Sequence, residues 1–195
     1  MDIDCDGLQN GGDGRCHGTN QDITAFQDLV KQYSQLTTYT SDLNPNYIPY
    51  VVFGNECEGE CPSGYTPFDP KSFGVQPLSV MAVVCNGQLV SLHRFPPVHF
   101  LSNHFLCQVF GVWGDTNGDD GAPLIGEASL ALATQCFGKS MNDNNGHPQD
   151  DVLYIAFPGS VADTVKQHAH YAATSYSDFE ASIQDLGNQL VAKLT

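Results

Sequence analysis

Leu78–Cys85 and the dipeptide behind it, Asn86-Gly87, constrain the fold more than any other part of the chain. Val80–Cys85 is an unbroken apolar run, long enough for a buried strand and far too short for a membrane span. Asn-Gly is the strongest short-range hairpin signal, because a tight type I′ turn needs positive φ at both central residues. The chain must therefore build a sheet around an apolar strand that ends in a tight turn.

Around that strand the pattern alternates without βαβ regularity. Tyr47–Phe53, Val109–Trp113 and Val152–Phe157 read as further strands. Residues 19–33 predict a helix capped by Asn20 or Thr19, with Ile23, Phe26, Val30 and Tyr33 on one face. Glu127–Phe137 predicts a second helix packed through Leu130, Leu132 or Ala133. Ser177–Leu194 predicts a third, opened by a Ser177-x-x-Glu180 capping box and carrying Phe179, Ile183, Leu186, Leu190 and Leu194 at helical spacing. Residues 54–77, rich in Gly, Pro, Cys and acidic side chains, read as a surface loop. With 195 residues, 41% of them hydrophobic, the expectation is one α+β domain spanning 1–195. Its sheet is expected to be mainly antiparallel, or a small β-barrel, flanked by helices.

Twenty-two Asp and Glu against seven Lys and Arg give a net charge of −15. A field of that sign repels nucleic acid and anionic membranes and attracts polycations or metal ions. Seven cysteines, Cys5, Cys16, Cys57, Cys61, Cys85, Cys107 and Cys136, suggest disulfides and an oxidising compartment. Zinc is disfavoured, because Cys57-x-x-x-Cys61 has no second pair at suitable spacing. His168 and His170 read as surface residues.

Negative charge concentrates in Gly114–Ser129, "GDTNGDDGAPLIGEAS". As a calcium loop it has Asp115, Asn117 and Asp119 in place but fits poorly: Asp120 stands where the sharp turn needs Gly, and Gly126 where a bidentate Glu belongs. Asp2-x-Asp4-x-Asp6-Gly7, with Asp13 last, fits that template better. The catalytic reading needs two carboxylates in different surroundings. Asp115, at a strand end in a polar turn, should stay ionised, whereas Glu127, after Leu124 and Ile125, should have its pKa raised by partial burial. An acid facing a base is the equipment of a glycosidase.

"SVMAVVCNGQL", "VFGVWGDTNG" and "GEAS", followed by a small apolar helix, resemble the fungal chitosanases of glycoside hydrolase family 75. "MDIDCDG", "PYVVFGN" and "DVLYIAF" resemble further stretches of that family in the same order. The resemblance implies inverting endo-hydrolysis of β-1,4 bonds in chitosan, with Asp115 as base and Glu127 as acid. Asp4 and Asp6 then become candidates for gripping ammonium groups. Trp113 becomes one for packing on a sugar face, and Asn117, in the same motif, another substrate-binding candidate. No cofactor or metal is called for, and the protein is expected to be a secreted monomer whose partner is a cationic glucosamine polymer.

The chain departs from that family in three ways. The family carries a signal peptide and further residues before "MDIDCDG", so strands could be absent and Cys5, Cys16, Cys85 or Cys136 could lack partners. The spacing from Asp115 to Glu127 is longer than usual. Finally, Val90–Gln108 separates two stretches that the family joins almost directly. Without it, "CNGQLVFGVWGDTNG" alternates as a strand should, and removing Cys107 leaves an even cysteine count. The segment reads as an insertion of translated intron: Val90-Ser91 can be encoded GTAAGT and Cys107-Gln108 can end in CAG. Its His93, His99 and His104 are then incidental.

Overall fold

The computed structural model describes residues 1–16, 22–57, 59–85, 108–118, 125–166 and 169–194. Six strands form one sheet: β1 (Ile3–Asp4), β2 (Tyr50–Val52), β3 (Val80–Val84), β4 (Gln108–Asp115), β5 (Ala128–Ser129) and β6 (Leu153–Ala156). Their order is β1-β5-β2-β4-β3-β6. The helices are α1 (Gln27–Ser34), α2 (Leu130–Phe137), α3 (Val161–Lys166) and α4 (Tyr176–Ala192). The architecture is the expected α+β, and the sheet is mixed. β3 runs antiparallel to β4 and β6, and β2 to β5, whereas β1–β5 and β2–β4 are parallel.

The β3–β4 ladder sets Val80 opposite Val112, Val83 opposite Val109 and Val84 opposite Gln108. A two-residue Asn86-Gly87 loop would place Val84 opposite Leu89, so joining Leu89 to Val109 would again set Val83 opposite Val109. Gln108 thus holds the ladder position that Leu89 would take in a tight hairpin. The connection between them, with Cys107 and the three histidines, lies outside the described residues.

Both faces of the sheet are covered, so its central strands are buried throughout. On one face Tyr50, Val52, Val80, Ala82, Phe110 and Val112 pack against Val30 of α1 and against Phe179, Ile183, Leu186 and Leu190 of α4. On the other, Val51, Met81, Val83, Val109 and Trp113 enclose Ala128 together with Leu132 and Cys136 of α2. Strand parity sorts residues between these two cores, the period-2 rule applied to a sheet with no wet face. The sheet curls into a half-barrel: Tyr154 on β6 donates its hydroxyl to the Gly126 carbonyl just before β5, at 2.6 Å, although three strands lie between.

Several boundaries differ from the sequence expectations. α1 begins at Gln27, not near residue 19, and Ile23 is exposed. α2 begins after Ser129, whose hydroxyl accepts from Leu132 N–H, so Glu127 lies ahead of β5 and outside the helix. α4 is capped by Ser175 accepting from Asp178 N–H, one box earlier than Ser177-x-x-Glu180. β1, β5 and α3 were not foreseen, since two-residue strands carry no periodicity. The cysteines feared unpaired are paired: Cys5 with Cys16 and Cys85 with Cys136, besides Cys57 with Cys61. His170 faces Asp178 at 3.1 Å, and His168 lies outside the described residues.

Two outcomes are expected. A Cβ at Gly187 of α4 would sit 2.5 Å from the Phe110 ring. Gly187→Ala therefore costs about 1–3 kcal/mol in overpacking against about 1 kcal/mol gained in helix propensity. The midpoint should fall by about 2–4 °C for each net kcal/mol lost, and a rise would contradict the close approach. Deleting Val90–Gln108 should preserve the sheet and lessen aggregation, read by circular dichroism and light scattering. Loss of cooperative melting would show that the segment is needed.

Candidate active site

β2 holds the site together. Val52 N–H donates to the Glu127 carbonyl at 2.9 Å, and Phe53 N–H donates to the Asp115 carbonyl at 3.0 Å. Consecutive amides of a strand point to opposite sides, so Asp115 and Glu127 flank the same end of β2. Two inter-strand spacings separate their backbones by about 10 Å. The ladder slips between Val51 and Val52, opposite the Asp115 end of β4. Asp115 is further fixed from below, where the buried Trp113 indole N–H donates to its carbonyl at 2.7 Å.

β1 brings a third carboxylate, because its parallel pairing sets Asp4 beside Ser129, two residues from Glu127. One oxygen each of Asp4, Asp6 and Asp115 lies within 4.8 Å of the others. Asp4 and Asp115 are buried, at 8% and 5% exposure, and Asp6 is half-buried. Beneath them Tyr50 donates its hydroxyl to the Asp6 carbonyl at 2.9 Å. Three carboxylates this crowded need positive charge between them, supplied by a proton or by a cation.

The acidities follow. Burial pushes Asp4 up to about 7; repulsion from Asp6 and Glu127 adds to this, while the Asp6 N–H and the Tyr50 hydroxyl oppose it. Burial, then the Asp4 charge, raises Asp115 well above the carboxylate range against the N–H groups of Ala25 and Thr116. Both amides donate to Asp115 Oδ1 at 2.8 Å. Asp6 is raised by burial and then by Asp22 and Asp42. The expectation that Asp115 stands in a polar turn is corrected: strand β4 carries it under the Ala25 amide, where only 5% of it is exposed.

The loop after Asp115 is pinned on its far side. Thr116 Oγ1 donates to Glu56 Oε2 at 3.0 Å, Lys71 Nζ to Glu56 Oε1 at 2.9 Å, and Asn117 N–H to the Gly54 carbonyl at 3.0 Å. Burial raises Glu56, but the Lys71 and Thr116 bonds outweigh it and hold the carboxyl below its usual range. Gly54 has φ +134°, and a Cβ there would meet Thr116 Oγ1 at 2.7 Å, so a side chain would push this loop away.

Of the sequence candidates, Asp4, Asp6 and Asp115 cluster and Glu127 acts on Asp4, whereas Asn117 lies two residues on, in the loop bonded to Gly54. Trp113 does not serve as a sugar platform: it has no exposed surface and meets Phe26 edge-to-face at 5.0 Å. The calcium template disperses. Asp13 binds Arg15 Nε through both oxygens, while Asp2 Oδ1 caps its neighbour's amide. Tyr50, Asp42 and the Ala25 amide were missed. Asp42, tied to Thr24, Gln27 and the Leu43 N–H, sits in no recognisable motif, and a backbone amide leaves no trace in sequence.

A carboxyl raised by folding from 3.8 to about 7 stabilises the protein fully below 3.8 and loses that contribution as pH climbs through 7. Asp4→Asn is therefore expected to melt above the parent protein near pH 8 and at or below it near pH 4. A melting difference independent of pH would contradict this.

The chain matches the family described as fungal chitosanase of glycosyl hydrolase group 75 over residues 1–91 and 103–193. The internal unmatched residues, 92–102, fall inside Val90–Gln108. It is 41% identical over its whole length to Endo-chitosanase B of Aspergillus oryzae (strain ATCC 42149 / RIB 40), covering 67% of that protein. It is 42% identical, again over its whole length, to an Endo-chitosanase of Aspergillus fumigatus, covering 68%. Endo-chitosanase C of Aspergillus oryzae is 29% identical, with 38% of its length covered. The carboxylate cluster at the end of β2 is thus carried by a glycoside hydrolase, and the chain belongs to the fungal chitosanase family, glycosyl hydrolase group 75.

Proposed function

We propose that this protein is an endo-acting chitosanase that cleaves β-1,4 bonds with inversion. Glu127 gives its proton to the glycosidic oxygen. Asp115 takes a proton from the water that attacks the anomeric carbon from the opposite face. The carbon–oxygen bond to the leaving sugar breaks as the bond to water forms. The observation that carries this reading is the placement of Asp115 and Glu127 on either side of β2, through the Val52 and Phe53 amides. Backbones about 10 Å apart across β2 are compatible with the roughly 6.5–9.5 Å between carboxyl groups that leaves room for a water in inverting enzymes. A net charge of −15 suits a glucosamine polycation, which such a field draws in. Three disulfides fit secretion into an oxidising environment, and no described helix is long and apolar enough to cross a membrane.

The test is reducing-end release from soluble chitosan, with proton NMR of the first product. The parent protein should release α-anomers. Glu127→Gln and Asp115→Asn should each lower kcat by about 10²–10⁴-fold, the range for lost acid–base catalysis. β-anomers appearing first would overturn inversion, and intact polymer bound without cleavage would make the protein a binding module.

A further inference from the structure

The proposed reaction asks Asp115 for a negative charge at a place where burial and a neighbouring carboxyl oppose one. We propose that Asp4 is a positioning residue that shares one proton with Asp115, and that a substrate ammonium group docking at Asp6 discharges this proton and arms the base. The inference rests on the chitosanase reading and adds to it a reason why only a free amine would switch the site on.

Geometry comes first. Asp4 and Asp115 are both buried, their nearer oxygens lie within 4.8 Å, and each is anchored by backbone N–H groups on one side. Asp4 Oδ1 accepts from Asp6 N–H at 2.7 Å, whereas Asp115 Oδ1 accepts from two amides. Two donors favour an anion on Asp115 while burial opposes one there, so the proton belongs to the pair and not to either carboxyl alone. Asp4 and Asp115 are buried alike, at 8% and 5% exposure, which places Asp4 as the partner of the base behind the more open Asp6. Asp6 is half-buried and stands in contact with both, which suits it to meet a ligand.

Charge comes second. The titratable groups facing this pair are Asp6, Glu127 and Tyr50, with Asp22 and Asp42 behind Asp6. The charges that act most strongly on Asp4 and Asp115 are those of other carboxylates, with no described lysine or arginine among them. The pair therefore relies on its own proton for neutralisation until another cation arrives. An ammonium group at Asp6 supplies that charge. The shared proton then leaves to water, and no bond to carbon changes in this step. An N-acetylated sugar carries no such charge and leaves the proton in place.

The experiment uses Glu127→Gln, which stops turnover, dialysed against EDTA and titrated calorimetrically with a glucosamine hexamer in buffers of different ionisation enthalpy. Working near pH 5.5 keeps the sugar amines charged beforehand, so that only protein groups contribute. About one proton should be released per hexamer bound, and none with the N-acetylated hexamer. The release should vanish in Asp4→Asn, Glu127→Gln while binding persists. Difference infrared spectra of the Glu127→Gln protein should lose a protonated-carboxyl band on binding, a readout that does not depend on the second variant folding. Binding without proton release, or an equal release from the double variant, overturns the inference while leaving chitosan cleavage by the parent protein intact. If the parent does not cleave chitosan and the hexamer does not bind, the functional reading itself fails.

Discussion

Everything at the site hangs from β2, a strand of three residues whose amides are divided between two neighbours. One side holds the end of β4 and with it Asp115. The other holds the approach to β5 and with it Glu127. A main-chain ladder is a stiff ruler, since its spacing is set by hydrogen-bond length and not by side-chain rotamers. Trp113 stiffens it further by tying its indole to the Asp115 carbonyl. The two carboxylates can therefore be separated by a loop of variable length without changing their distance. Such tolerance of loop length is what the slow growth of closure entropy permits.

How much of this was legible depended on length scale. The α+β class, the apolar β3 and β4 and the face of α4 followed from periodicity over five or more residues. Asp115 and Glu127 were legible through the motifs around them. Their surroundings were not. Asp115 precedes a run of polar-turn residues in sequence but is buried under Ala25, a contact ninety positions away that no local pattern encodes. Trp113 shows the opposite error. A lone tryptophan beside a candidate base invites a sugar-stacking role, yet strand parity puts it in the inner core. Asp4 lay in what looked like a metal-binding spacing, because carboxylates at alternate positions serve a strand and a calcium loop equally well.

Covalent links and charge divide the work in the same molecule. Cys85–Cys136 joins the end of β3 to α2, and Cys5–Cys16 closes the loop that carries Asp6. Crosslinks of this kind restrict the unfolded chain. That matters where the folded state keeps three carboxylates crowded together at a cost in stability. The site holds strain that the rest of the fold must offset.

The parallel pairing of β1 with β5 has a consequence for how the molecule comes into being. Ile3 finds its partner only at Ala128, and Asp4 meets Asp115 only once β2, β4 and β5 are side by side. A ribosome delivers residue 4 long before residue 128, so β1 is made well before the strand that seats it. Such distant pairing is entropically slow, and it leaves the cluster unfinished until most of the sheet exists. The carboxylate cluster is thus a property of the completed sheet and of no earlier fragment.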